Sequence, residues 1–367
     1  MNQSPDLTNP SSCEPPRKSL FFRKALIGAI IGSIALAFVY AGGWLTPRTL
    51  SSSRFTDGFE AANGPHPGFR RNHSKGVCVS GYFESDGKAS ALCKSSVFKP
   101  GRIPVLGRFS LGGGQPNMAD AAHTPRGFAL RFQLPNGEEW RTAMLNLPVF
   151  TVRTPQGFYD QLFAFAPDPA TGKPDPAKLA AFLDKYPESA KARKLVMNQP
   201  VASRFGNSTY NSLNTFRFIN EDGTVSFVRW SLAPLQPFKP IDSSNTSPAD
   251  KNYLFDGLIE DIHQHPLQWR LIITVADAED PTDDATLPWP PERRQIDAGV
   301  LTIEHIESDD VSPARDINFD PLILPNGMAA SGDPLLSARS AVYSQSFTRR
   351  ESEPKPSSAI SEKETQR

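Results

Sequence analysis

Arg339 and Tyr343 stand four residues apart in a segment that reads as helix, which puts both on one face. A guanidinium beside a phenol favours the phenolate by opposite charge. A phenolate is a ligand for ferric iron; a stacked surface Arg–Tyr pair is the plainer alternative. Far upstream, His73 follows Arg70 and Arg71 at the mouth of an alternating, strand-like run, residues 76–84. Imidazole alone among side chains titrates near neutral pH, so a histidine there is suited to acid–base work. The competing reading is an ordinary loop histidine. Two further segments carry polar groups among apolar ones. Arg108-Phe109-Ser110 runs into a Gly112–Gly114 triplet, and Asn146, both donor and acceptor, sits within the apolar run 144–150. No Lys-Ser/Thr follows the glycines, so they do not form a phosphate loop. His263 and His265 would share a strand face, but no third metal ligand accompanies them.

These residues need a scaffold, and the strand signals supply one. Residues 126–134 alternate and then turn at Pro135-Asn136-Gly137. Residues 214–219 and 224–232 flank Glu221-Asp222-Gly223, and 268–275 and 298–306 are further β-rich runs. Tight Asn-Gly and Asp-Gly turns predict antiparallel neighbours. Asp175-Pro176 and Asp333-Pro334 read as helix starts. The fold class is α+β, a large antiparallel sheet or barrel with added helices. The 39 basic side chains balance 39 acidic ones, and no basic stripe is present, which argues against nucleic acid.

Residues 25–45 are uncharged and mostly apolar, long enough to cross a bilayer core of roughly 30 Å as a helix. Arg17, Lys18, Arg23 and Lys24 precede this run, which puts the N-terminus in the cytoplasm and the rest on the extracytoplasmic, periplasmic side. The rival is a cleaved signal sequence, with Val39-Tyr40-Ala41 as the cleavage site. The expected organisation is a disordered tail (1–20), an anchor (21–45), a linker (46–64), one folded domain (65–350) and a disordered tail (351–367). Cys78 and Cys93 flank an expected hairpin with its turn near Asp86-Gly87. Either a disulfide or two buried thiols fits them.

Taken in order, the motifs resemble the haem catalases. They are histidine with Lys-Gly and Gly-Tyr-Phe-Glu from residue 73, Arg-Phe-Ser at 108, Pro-Arg-Gly-Phe-Ala-Leu-Arg-Phe at 125, Asn-x-Pro-Val-Phe at 146, and Arg-x-x-x-Tyr at 339. The match runs from about residue 65 to 350 and is most similar to the short, often membrane-anchored catalase-related peroxidases. The resemblance implies an antiparallel eight-stranded β-barrel core and a haem cofactor. It also implies site roles. His73, Ser110 and Asn146 would act on peroxide. Phe158 would stack on the haem, and Tyr343 would bind the iron with Arg339 keeping it ionised. Arg70, Arg108 and Arg350 would pair with haem propionates. The partners implied are hydrogen peroxide and a small-molecule electron donor, and a homodimer is compatible with it. Asn72 replaces a valine that lies over the haem in full-length relatives, and Phe69 replaces an acidic or amide residue. No dinucleotide fingerprint is present. The expected activity is a haem peroxidase with weak or no catalase turnover. The alternatives are a true catalase, or a tethered haem-binding or sensing protein without turnover.

Overall fold

A computed structural model describes residues 17–41, 50–168, 171–241 and 251–366. The chain divides into two units, Met1–Ser51 and Ser52–Arg367. In the first, helix α1 (Arg17–Ala41) carries an apolar window, Phe21–Ala41, of mean hydropathy 1.9. None of that window is buried, and its 21 residues make it long and apolar enough to cross a membrane. The expected tail up to residue 16 and the last four residues of the expected anchor, 42–45, lie outside the described residues.

The second unit is built on a closed antiparallel barrel. Its strands are β1 (Gly76–Ser85), β2 (Gly101–Leu111), β3 (Arg126–Gln133), β4 (Glu139–Leu145), β5 (Tyr210–Asn211), β6 (Phe216–Ile219), β7 (Val225–Pro234), β8 (Leu267–Val275), β9 (Gln295–Glu307) and β10 (Met328–Ala330). Strands β1, β2, β3, β4, β5, β7, β8 and β9 pair in that order and close back onto β1. The eight-stranded barrel implied by the resemblance is therefore present, with β6 and β10 continuing from one end of β7. Closure leaves no free edge in the ring. Alternation fixes what faces inward: Phe128, Leu130 and Phe132 of β3 are fully buried. Phe128 stacks on Phe109 at 3.9 Å between ring centres, and Phe132 on Trp140 at 4.6 Å.

The helices lie outside the ring: α2 (Ser52–Asn63), α3 (Pro155–Ala164), α4 (Pro176–Lys185), α5 (Pro187–Met197), α6 (Tyr253–Gln264), α7 (Pro334–Glu351) and α8 (Glu362–Thr365). Both proline-led helix starts are as expected. Asp175 accepts from the Ala177 amide and Asp333 from the Leu335 amide.

Four expectations need correction. The segment 46–64 is not merely a linker, because α2 occupies most of it and buries Phe55 and Phe59, an i, i+4 apolar pair. The segment after residue 350 is not a loose tail: Glu353 pairs with Arg71, Ile360 is 1% exposed, and a capping box starts α8. His263 lies in the last turn of α6 and His265 caps it, because the buried Leu254, Leu258 and Ile262 recur at helical spacing. Among the described residues no group of three side chains could hold a metal ion by itself. Lastly, β1 pairs with β2, so Cys93 falls in the connection between them and not on the neighbouring strand. Both thiols are free and buried. Cys78 donates to Asp309 and Cys93 to the Gly327 carbonyl.

Candidate active site

A cavity of about 1230 Å³, its open mouth included, lies between the outer face of the barrel and helices α2, α3 and α7. Eight of the nine expected site residues line it: Arg70, His73, Arg108, Ser110, Phe158, Arg339, Tyr343 and Arg350. Small side chains pave its barrel side. Gly127 and Ala129 alternate outward on β3, and Ala143 pairs with Ala129 across the β3–β4 ladder.

His73 enters from the loop before β1 in a left-handed backbone conformation, φ 57°. That conformation costs a non-glycine residue about 1–2 kcal/mol, so its neighbours must hold it. Asn72 Oδ1 accepts from the His73 amide at 3.0 Å and from the Gly113 amide at 2.8 Å. Arg108 donates to the His73 carbonyl at 2.8 Å. Ser110 Oγ meets Nδ1 of the ring at 3.1 Å, which leaves Nε2 for the cavity. Gly127 makes room for this pair. A Cβ there would lie 2.8 Å from Ser110 Oγ and 3.0 Å from His73 Nδ1. Burial, then Arg108, Arg339 and Arg70, push the His73 pKa down to about 3, so the imidazole is neutral near pH 7.

The arginines have different surroundings. Arg108 forms a buried pair with Asp309 (2.7 Å) and also donates to the carbonyls of His73 and Ser74. Burial alone would lower its pKa, but Asp309 holds it above the usual value. Arg70 donates only to the carbonyls of Arg315 (2.9 Å) and Ile317 (2.8 Å). Arg350 donates to the Arg315 carbonyl at 3.2 Å, and its buried Nε has no partner. Among the described residues neither Arg70 nor Arg350 forms a salt bridge. Burial, followed by the neighbouring arginines, lowers the pKa of both. Two cations without a salt-bridge partner among the described residues, Arg350 buried and Arg70 half-buried, beside an apolar cavity suit a ligand with two carboxylates. With the phenol of Tyr343 and the flat floor of small residues, this donor set fits a haem.

On α7, Arg339 donates to Asn214 Oδ1 and to the Ala143 carbonyl (3.1 Å). Asn214 in turn donates to Asp333 Oδ2 at 2.7 Å. Neither of these Arg339 hydrogen bonds reaches Tyr343. Asp309 is not among the residues expected to matter, Asn214 is expected only as the start of a strand, and Asp333 only as a helix cap. Asn146 is the one expected site residue that does not line the cavity. Its Oδ1 accepts from the Arg126 amide at 2.7 Å, beside Leu145, which does line it. Asn72 lines the cavity too, but its oxygen is committed to the two backbone amides.

The sequence profile of the family described as Catalase matches residues 48–354. The chain belongs to the catalase family. It is 39% identical over 326 residues to the catalase-related peroxidase of Synechococcus elongatus, covering 88% of this chain and 94% of that one. It is 29% identical to the catalase-related peroxidase of Mycolicibacterium paratuberculosis, covering 83% and 94%. Among solved structures, a fungal catalase superposes with a TM-score of 0.70 at 23% identity, covering 84% of this chain and 64% of that one. This catalase-family chain thus spans less than two thirds of that larger enzyme, and 59% of Catalase-2 of Caenorhabditis elegans. Family membership gives the class of chemistry, that of an oxidoreductase acting on peroxide.

Proposed function

We propose that the protein reduces hydrogen peroxide at a haem held by Tyr343 and draws the electrons from a small organic donor. One observation carries this reading. A neutral histidine with a free Nε2 lines the same apolar cavity as a tyrosine, beside two arginines without counter-charges. A bound haem would supply the redox-active iron at which peroxide is reduced. Tyr343 Oη would hold that iron, a role phenolates take in haem proteins, with Arg339 one turn earlier on the same helix. Arg70 and Arg350 would take the two carboxylates, and Phe158 would pack against the ring. His73 Nε2 takes a proton from one peroxide oxygen and returns it to the other, so that water leaves. Asn146, expected beside the peroxide, does not line the cavity; its oxygen is held by the Arg126 amide, and the proton transfer by His73 does not require it.

Two observations support an organic donor over a second peroxide. The chain is 39% identical to a protein named as a peroxidase, nearly end to end. Asn72 also puts an amide at the cavity wall where full-length relatives carry valine. A haem-binding sensor would need Tyr343 and the arginines, but not a histidine held at φ 57° with a serine on its ring. The test is to load the purified protein with haem, add peroxide, and follow the Soret band, oxidation of a phenolic donor and oxygen release. Donor oxidation outpacing oxygen release is expected. No Soret band sinks the reading, and oxygen release without donor oxidation makes the protein a catalase.

The same reading places α1 in a membrane, with the N-terminus cytoplasmic and the haem domain outside. Support comes from the length of the apolar window and from Arg17, Lys18, Arg23 and Lys24 at its start. Membrane-extracted protein should keep its original N-terminus; a mature chain beginning near residue 42 would mark a cleaved signal.

A further inference from the structure

Asp309 has no role in the peroxide chemistry as derived above, yet it is the only carboxylate paired with Arg108 among the described residues. It lies just past the end of β9, 201 residues from Arg108 in sequence. Both of its oxygens accept from Arg108, at 2.7 to 3.1 Å, and Cys78 donates to Oδ1 at 3.0 Å. Arg108 also reaches the carbonyls of His73 (2.8 Å) and Ser74 (3.0 Å). The guanidinium lies tight against this loop. A Cβ on Gly76 would come within 2.5 Å of Arg108 Cζ.

We propose that Asp309 is a positioning residue that fixes the His73 imidazole by way of Arg108. The left-handed backbone at His73 is strained and needs its carbonyl held. Arg108 holds it, and Arg108 is itself held by Asp309. Asp309 also divides the labour among three neighbouring cations. It pairs with Arg108 and keeps it on the loop, while Arg70 and Arg350 form no salt bridge among the described residues. Without Asp309 the guanidinium has reason to turn toward any carboxylate in the cavity and release the His73 carbonyl. Arg108 lines the cavity as the resemblance implies, and the backbone clamp is a role additional to the expected one. The catalytic consequence rests on the proposed peroxide chemistry; the clamp itself does not.

The substitution to make is Asp309→Asn, which keeps the shape and removes the charge. Two measurements are paired: the rate of reaction of the haem-loaded protein with peroxide, and amide hydrogen exchange of the unloaded protein. The expected result is unchanged haem uptake and a rate lower by roughly 10²-fold, the scale of a misplaced catalytic group. Exchange should rise in the segment 70–76 and nowhere else. In an Arg108→Met background, Asp309→Asn should add nothing further, because the effect passes through Arg108. Wild-type rate and exchange in D309N would overturn the proposal. So would exchange rising across the whole domain, or losses that add in the double variant. The exchange measurement needs no cofactor, so it stands even if the haem reading fails for lack of a Soret band.

Discussion

Replacing His73 with alanine is expected to slow the reaction with hydrogen peroxide by about 10³-fold, within the range that general acid–base groups supply. Haem uptake should survive, because Tyr343, Arg70 and Arg350 are untouched. The discriminating comparison is a stopped-flow rate beside a Soret titration of the same sample. An unchanged rate would remove His73 from the chemistry, and loss of both signals would make it structural. The pH dependence follows from the same residue. Its pKa falls from 6.5 to about 3, with burial the largest cause and Arg108, Arg339 and Arg70 following. A depressed pKa keeps the base form at every pH above it. The peroxide rate should therefore stay level across about pH 5 to 8, where an ordinary histidine would titrate. Carboxylates bound near Arg70 would cancel part of the arginine effect but not the burial. An acid limb centred near 6.5 would contradict this. The same shift makes stability that is fully present above pH 6.5 and drains away as pH falls toward 3.

The second large effect is structural. Lys75, two residues past His73, is 1% exposed at its side chain, and Asp120, its partner at 2.6 Å, is 0% exposed. The ammonium also donates to the carbonyls of Met118 (2.8 Å) and Lys251 (2.9 Å). Burial pushes the Asp120 pKa up; Lys75 opposes this without cancelling it. The pair therefore adds little net stability, yet breaking one side strands a buried charge. Lys75→Met is expected to cost about 3–5 kcal/mol, read from urea or thermal unfolding. A double variant that also replaces Asp120 with an apolar residue of similar size should recover much of that loss. Equal losses in both variants would show that the packing, not the charge, was being measured.

The barrel was legible because β3 states its alternation and its turn within about a dozen residues. Gly137, at φ 82°, occupies the turn that Pro135-Asn136-Gly137 announces. Arg339 and Tyr343 were legible for the same local reason, one helical turn apart. Motif order carried His73, Ser110 and Phe158 into the cavity. What stayed hidden is long-range. The Arg339–Asn214 bond crosses 125 residues and the Arg108–Asp309 pair 201, and neither acceptor sits in a motif. Helix α2 was misread because Ser52, Ser53 and Gly58 suggest a connection, while Phe55 and Phe59 become informative only once there is a cavity to bury them against. The oxygen of Asn72 was equally unreadable: one of its two amide partners, Gly113, is 41 residues away and meets it only when that loop folds onto it.

The cavity wall joins the two ends of the domain. Phe55 and Phe59 come from its first helix, and Arg339, Tyr343 and Arg350 from a helix ending at Glu351. A chain emerging from the ribosome therefore has no complete cavity wall until α7 has been made. By then α1, which precedes both wall helices, is long committed to the translocation machinery under the proposed topology. Under the proposed haem and topology, the cofactor would enter only after α7 is made, on the side of the membrane where the domain folds.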